Sequence, residues 1–146
     1  MLLRSKEALN DPEDEILESE NNKAVVANIL ACATYAYLRL YHYTEALKCT
    51  NSALAEAPDH APSLMLRALV RFLNKDCREP QQALSDIEEA IRLRPGREEY
   101  ESLKRKIEAH LKTLENDRVR VARLLIDRST KKIQLIKNRE ERGLSV

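Results

Sequence analysis

Three histidines and three cysteines are the side chains of this 146-residue chain best suited to chemistry, and their spacing supports little of it. His42, His60 and His110 have neither a nucleophile nor a second ligand at a spacing that would make a catalytic pair or a metal site. Cys32, Cys49 and Cys77 are an odd number without a CxxC pair, so they are expected to be reduced thiols that fill space. No HExxH or glycine-rich phosphate loop occurs, and two glycines leave little for tight turns around a ligand. The chain is therefore expected to be no enzyme and to hold no metal and no cofactor. What remains is charge chemistry: Arg118, Arg120, Arg123, Lys131 and Lys132 form a basic patch able to meet phosphates.

The elements that would position these residues are written twice. Leu30-x2-Ala33-Thr34-x2-Tyr37, Tyr43-x2-Ala46-Leu47 and Ala53-Leu54-x3-Pro58 reappear as Leu64-x2-Arg67-Ala68, Pro80-x2-Ala83-Leu84 and Ala90-Ile91-x3-Pro95. The offset is 34 residues from Leu30 to Leu64 and from Thr34 to Ala68, and 37 from Ala46 to Ala83, Ala53 to Ala90 and Pro58 to Pro95. An insertion of three residues within 74–80 accounts for the difference. Small residues at Thr34, Ala46, Ala53, Ala68, Ala83 and Ala90 mark places where helices approach closely, and large apolar neighbours fill the space around them. Pro58 and Pro95 stop a helix, whereas Pro62 and Pro80 suit a first turn. The pattern predicts helices over about 22–40, 43–57, 61–74 and 80–94, with Asp59 and His60 capping the third.

A period of 34 residues in this order resembles the tetratricopeptide repeat over residues 27–95, about half the chain. The resemblance implies an all-α fold of antiparallel helix-turn-helix units, here 22–58 and 59–96, in a short right-handed solenoid. Two positions depart from the family pattern: the usual tryptophan is Leu30 or Leu64, and the second copy carries Arg71 at a tyrosine-like position. The first helix of each unit would line a concave groove, assigned here to Asn28, Ala31, Cys32, Tyr35 and Arg39 and to Pro62, Met65, Leu66, Leu69 and Leu73. Such a groove is apolar, which suits an amphipathic helix or an extended apolar peptide. An acidic stretch, two repeats and a long basic helix also resemble the C-terminal half of the repeat domains of large immunophilins and related co-chaperones. Their carboxylate clamp of asparagine, lysine and arginine falls on Cys32, Pro62 and Leu66, none of which holds a carboxylate.

Outside the repeats the chain is polarised. Residues 1–22 carry a net charge of −5 and residues 117–146 a net of +5, around a nearly neutral middle and a total of +1. Residues 1–21 are expected to form a short helix, Leu2 to Leu9, and an acidic linker. Ala8-Leu9 before Pro12 weakly echoes the end of a repeat. Residues 97–143 predict one long helix whose stripe of Tyr100, Leu103, Ile107, Leu111 and Leu114 can cap the second repeat. At 1.5 Å per residue that helix would reach roughly 65 Å, so its far half is expected to project, or to bend near Asn116 or Ser129-Thr130.

Leu111, Leu114, Val121, Leu124 and Leu125 are assigned as a face for a partner helix. No apolar run is long enough for a signal peptide or a membrane span, so a reduced, cytoplasmic location is expected, with Cys77 the most accessible thiol. The function expected is a non-catalytic scaffold that binds an apolar segment of another protein. Because about three repeats are normally needed for stability, the open edge near Tyr35, Tyr37 and Tyr41 also predicts packing on residues 1–10, a second copy or another subunit. The alternatives are a co-chaperone module without its clamp, and a nucleic-acid-associated assembly factor. The latter is disfavoured because no aromatic follows Tyr100 to stack on bases.

Overall fold

In the computed structural model, residues 12–76 and 78–143 are described, with side chains from residue 20 onward. The fold is all-α: helices α1 (Pro12–Arg39), α2 (Tyr43–Glu56), α3 (Ala61–Leu73), α4 (Pro80–Leu93) and α5 (Glu98–Glu141) follow one another, with no strand among the described residues. α1 packs on α2 and α3 on α4, and α3 also meets both α1 and α2. Each pair is therefore a hairpin of helices joined by a short turn, and the second hairpin stacks on the first. The described residues up to Glu108 form one compact unit and those from Ala109 onward a second.

The crossings sit where the duplicated small residues predict them. Thr34, Ala46, Ala53, Ala68, Ala83 and Ala90 are all fully buried, at 0% exposure. Ala27 and Ala61, also 34 residues apart, are buried with them. A methyl group at these points lets backbones come close enough for the larger neighbours to interdigitate. Leu38, Ala46, Leu66 and Val70 form one such cluster, with Tyr37, Leu47 and Met65 packed around it. The buried hydroxyls stay within their own helices: Thr34 donates to the Leu30 carbonyl at 2.8 Å and Thr50 to that of Leu47 at 2.9 Å.

Helix ends follow local chemistry. α2 and α4 stop at Glu56 and Leu93, one residue short of the expected bounds, because Ala57 and Arg94 precede prolines and leave the α region (φ −137° and −135°). Prolines open α3 and α4 as expected. The acidic stretch 13–20 departs from expectation. It is helical and belongs to α1, not to a linker. Pro12 stands where a missing N–H costs nothing, and acids in a first turn suit the positive end of the helix dipole. The segment Leu2–Leu9, its echo of a repeat, and Cys77 lie outside the described residues.

The remaining turns place side chains that matter below. His60 is the N-cap residue of α3 but makes no side-chain bond to the backbone there, so neither it nor Asp59 caps the helix as expected. Tyr41, between α1 and α2, adopts a left-handed φ of 59°. It closes a Schellman motif in which His42 N–H donates to the Tyr37 carbonyl at 2.9 Å and Tyr41 N–H to that of Leu38 at 3.0 Å. α5 is one unbroken helix through Asn116 and Ser129-Thr130. Its burial ends early: Tyr100, Leu103 and Ile107 are buried, whereas Leu114 is 46% exposed.

Overpacking a crossing should cost far more than overpacking the surface. Ala68→Leu is expected to lower stability by about 1–3 kcal/mol in urea unfolding, and Ala36→Leu, at an exposed position of α1, to stay within about 0.5 kcal/mol.

Candidate protein-interaction site

The groove residues expected from the repeat register separate into four groups. Leu66 is 7% exposed and belongs to the hydrophobic core, because its face of α3 turns toward Leu38 and Ala46; it is not a surface ligand contact. Met65 flanks the same core. Asn28 is engaged, since its Oδ1 lies 2.7 Å from His60 Nε2 and ties α1 to the start of α3. Cys32 is exposed and makes no polar contact among the described residues.

Tyr35, Arg39 and Leu69 do come together. With Leu38, Tyr41 and Leu73 they line an open recess between the final turns of α1 and α3. Leu69 and Leu38 form its floor, partly shared with the core. Tyr35 is 55% and Tyr41 77% exposed at its rim. Arg39 lies over the Tyr35 ring, 5.9 Å from its centroid, and its Nη1 donates to the Tyr35 hydroxyl at 3.4 Å. An apolar floor under two phenols and a guanidinium can hold an aliphatic or aromatic side chain while offering donors to a nearby carbonyl or carboxylate. The repeat register assigns Leu73 to this surface. Leu38 has a sequence signal only as part of the apolar face of α1, whereas Tyr41 belongs to the open repeat edge and is also a bulky residue where a helix end usually takes glycine.

The residues singled out on α5 are accessible but not grouped as expected. Leu111 is half-buried, and Leu114, Val121, Leu124 and Leu125 are exposed. Leu124 and Leu125 are adjacent in sequence and point about 100° apart, so the five do not share one narrow face. In the basic patch, Arg118 approaches Glu115 at 3.6 Å and Arg120 pairs with Asp117 at 2.9 Å. Arg123, Lys131 and Lys132 have no ion-pair partner among the described residues. No cluster of three metal-capable side chains, and no helix long and apolar enough to cross a membrane, occurs among the described residues.

The second hairpin carries a polar knot that the first lacks. Asp86, 5% exposed, accepts from Arg67 Nε at 3.0 Å and Nη2 at 2.8 Å, and from Arg71 Nη1 at 2.6 Å. Arg67 Nη1 also donates to Asn51 Oδ1 at 3.1 Å, joining α2 to α3. Arg67 is thus committed within the fold. Arg71, which stands where the first hairpin has Tyr37, is the second partner of the same carboxylate. In the first hairpin the corresponding positions hold Ala33, Tyr37 and Cys49, and burial pushes the Cys49 thiol pKa up.

His60 makes the link between α1 and α3 sensitive to acid. With Asn28 Oδ1 as acceptor, Nε2 carries the hydrogen and Nδ1 accepts from the Ser63 hydroxyl at 2.6 Å, which is the neutral ring. Burial first, and then the charge of Arg94, hold its pKa below the ordinary value of 6.5, against a smaller opposing effect of Asp59. A depressed histidine pKa stabilises the fold above 6.5 and loses that contribution as pH falls toward the folded-state value. The melting temperature is therefore expected to drop between about pH 7.5 and 5.5, and His60→Gln to flatten that slope. An unchanged slope in the variant would show that the link does not titrate. The chain matches no protein-family model and no curated protein.

Proposed function

We propose that this chain is a non-catalytic adaptor built from two tetratricopeptide-type repeats, and that its recess between the ends of α1 and α3 holds an apolar segment of a partner protein. The observation that carries the reading is Tyr41. A non-glycine residue in the left-handed region costs about 1–2 kcal/mol, and here the residue is a large aromatic whose side chain is left 77% exposed at the rim of an apolar recess. Glycine would close the same Schellman turn without that cost. A strained, solvent-facing tyrosine is best explained by what its side chain meets.

The surroundings support the same reading. Leu73 is 40% exposed beside Tyr41 and Tyr35, and such a contiguous patch with donors at its edge is the composition of a peptide-binding surface. The occupant is an apolar anchor, helical or extended, with an acceptor directed at Arg39 or a tyrosine hydroxyl. A clamp for an acidic chain end has no counterpart at Cys32, Pro62 or Leu66, the last of which is buried.

Tyr41→Gly separates binding from folding. Selection of a random-peptide display library on the intact chain is expected to enrich apolar sequences whose affinity falls roughly tenfold in Tyr41→Gly and in Leu73→Glu. The glycine variant should at the same time be more stable by about 1 kcal/mol. Selected peptides that bind both variants as tightly as the parent chain would contradict the assignment.

A further inference from the structure

The second unit carries a separate surface, and we infer that residues 118–139 of α5 dock a partner helix whose apolar stripe is bordered by acidic side chains. Val119, Ala122, Ile126, Ser129, Ile133 and Ile136 follow one another at steps of 3, 4, 3, 4 and 3 residues. This is the heptad spacing of a coiled-coil seam, with β-branched Val119, Ile126 and Ile133 at one core position and small Ala122 and Ser129 at the other. All six are exposed, including Ile126 at 64% and Ile133 at 54%. A helix in water draws most of its stability from packing such a stripe, so this seam lacks the element that would stabilise it. Glu115 and Glu140 stand one heptad step beyond its two ends and delimit it.

The flanks identify the occupant. In this register Arg118, Leu125, Lys132 and Arg139 line one side, and Asn116, Arg123, Thr130 and Lys137 the other, so every charge bordering the seam is positive. Asp117, Asp127 and Glu141 lie on the outer positions. Arg123, Lys132 and Lys137 have no ion-pair partner among the described residues. A second copy is the wrong occupant: pairing in parallel sets Arg118 against Arg123 and Lys132 against Lys137, and antiparallel pairing again sets base on base. Like charges at these positions repel, and opposite ones select the partner. An anionic bilayer offers the same charge, but the regular alternation, the small residues in the seam and the absence of any aromatic after Tyr100 suit a close-packed helix better.

Two synthetic helical peptides with the same isoleucine-alanine seam, one bordered by glutamate and one by lysine, provide the probe, titrated calorimetrically onto the intact chain. The glutamate peptide is expected to bind, more weakly as salt rises, and to lose roughly tenfold in affinity when Arg123, Lys132 and Lys137 are changed to glutamate. Tyr41→Gly should leave this binding unchanged, so failure of the recess reading and failure of this one are distinguishable. Equal binding of the lysine peptide, binding only to phosphatidylserine vesicles, or a dimer of the chain abolished by Ile126→Asn would each overturn the inference.

Discussion

Everything in the first unit depends on a steric constraint: six side chains no larger than threonine occupy the points where helices cross. Thr34, Ala46, Ala53, Ala68, Ala83 and Ala90 have no exposed surface, and the bulky residues beside them pack only because those points are small. The two hairpins share this constraint yet differ in what surrounds it. In the second, Asp86 draws Arg67 and Arg71 to within 3.0 Å, linking α3 to α4. In the first, the same places hold Ala33, Tyr37 and Cys49, which leave an apolar junction. A buried carboxylate between two guanidiniums gains little over a hydrophobic contact of equal volume, but it punishes any other alignment of α3 on α4 by stranding a charge.

The helix pairs were legible in the sequence because close crossings and proline stops are local, repeated signals. The six small positions and Pro58, Pro62, Pro80 and Pro95 each carry a steric consequence independent of the rest of the fold. Misreadings arose where a residue's role depends on distant partners. Leu66 reads as a groove residue from its register and is buried because Leu38 and Ala46 face it across two other helices. Asn28 and His60 lie 32 positions apart, and nothing in either neighbourhood announces their bond. The start of α1 at Pro12 was obscured by its acidic composition, which resembles a solvated linker and equally suits a helix N-terminus. Tyr41 was legible as part of the open repeat edge, but its left-handed backbone could be suspected only from the lack of glycine after α1.

Two surfaces of different chemistry emerge. The recess at the ends of α1 and α3 is small, aromatic-rimmed and carries one guanidinium, so its selectivity lies in shape. The seam on α5 is long, aliphatic and bordered by bases, so its selectivity lies in charge. On the proposed reading, the two surfaces would hold two kinds of protein segment. Burial on α5 fits that division: Tyr100, Leu103 and Ile107 belong to the first unit, whereas the aliphatic residues from Leu114 to Ile136 are exposed.

Hydrogen exchange of the intact, unliganded chain tests this division most directly. If the small-residue crossings hold one cooperative unit, the central amides of α2, α3 and α4 and those of α5 up to Ile107 should exchange together, by global unfolding. Amides from Leu114 to Glu141 should exchange much faster, as in a helix with nothing packed on its seam. Equal protection along the whole of α5, or independent opening of α3 and α4 while α1 and α2 stay protected, would contradict the account.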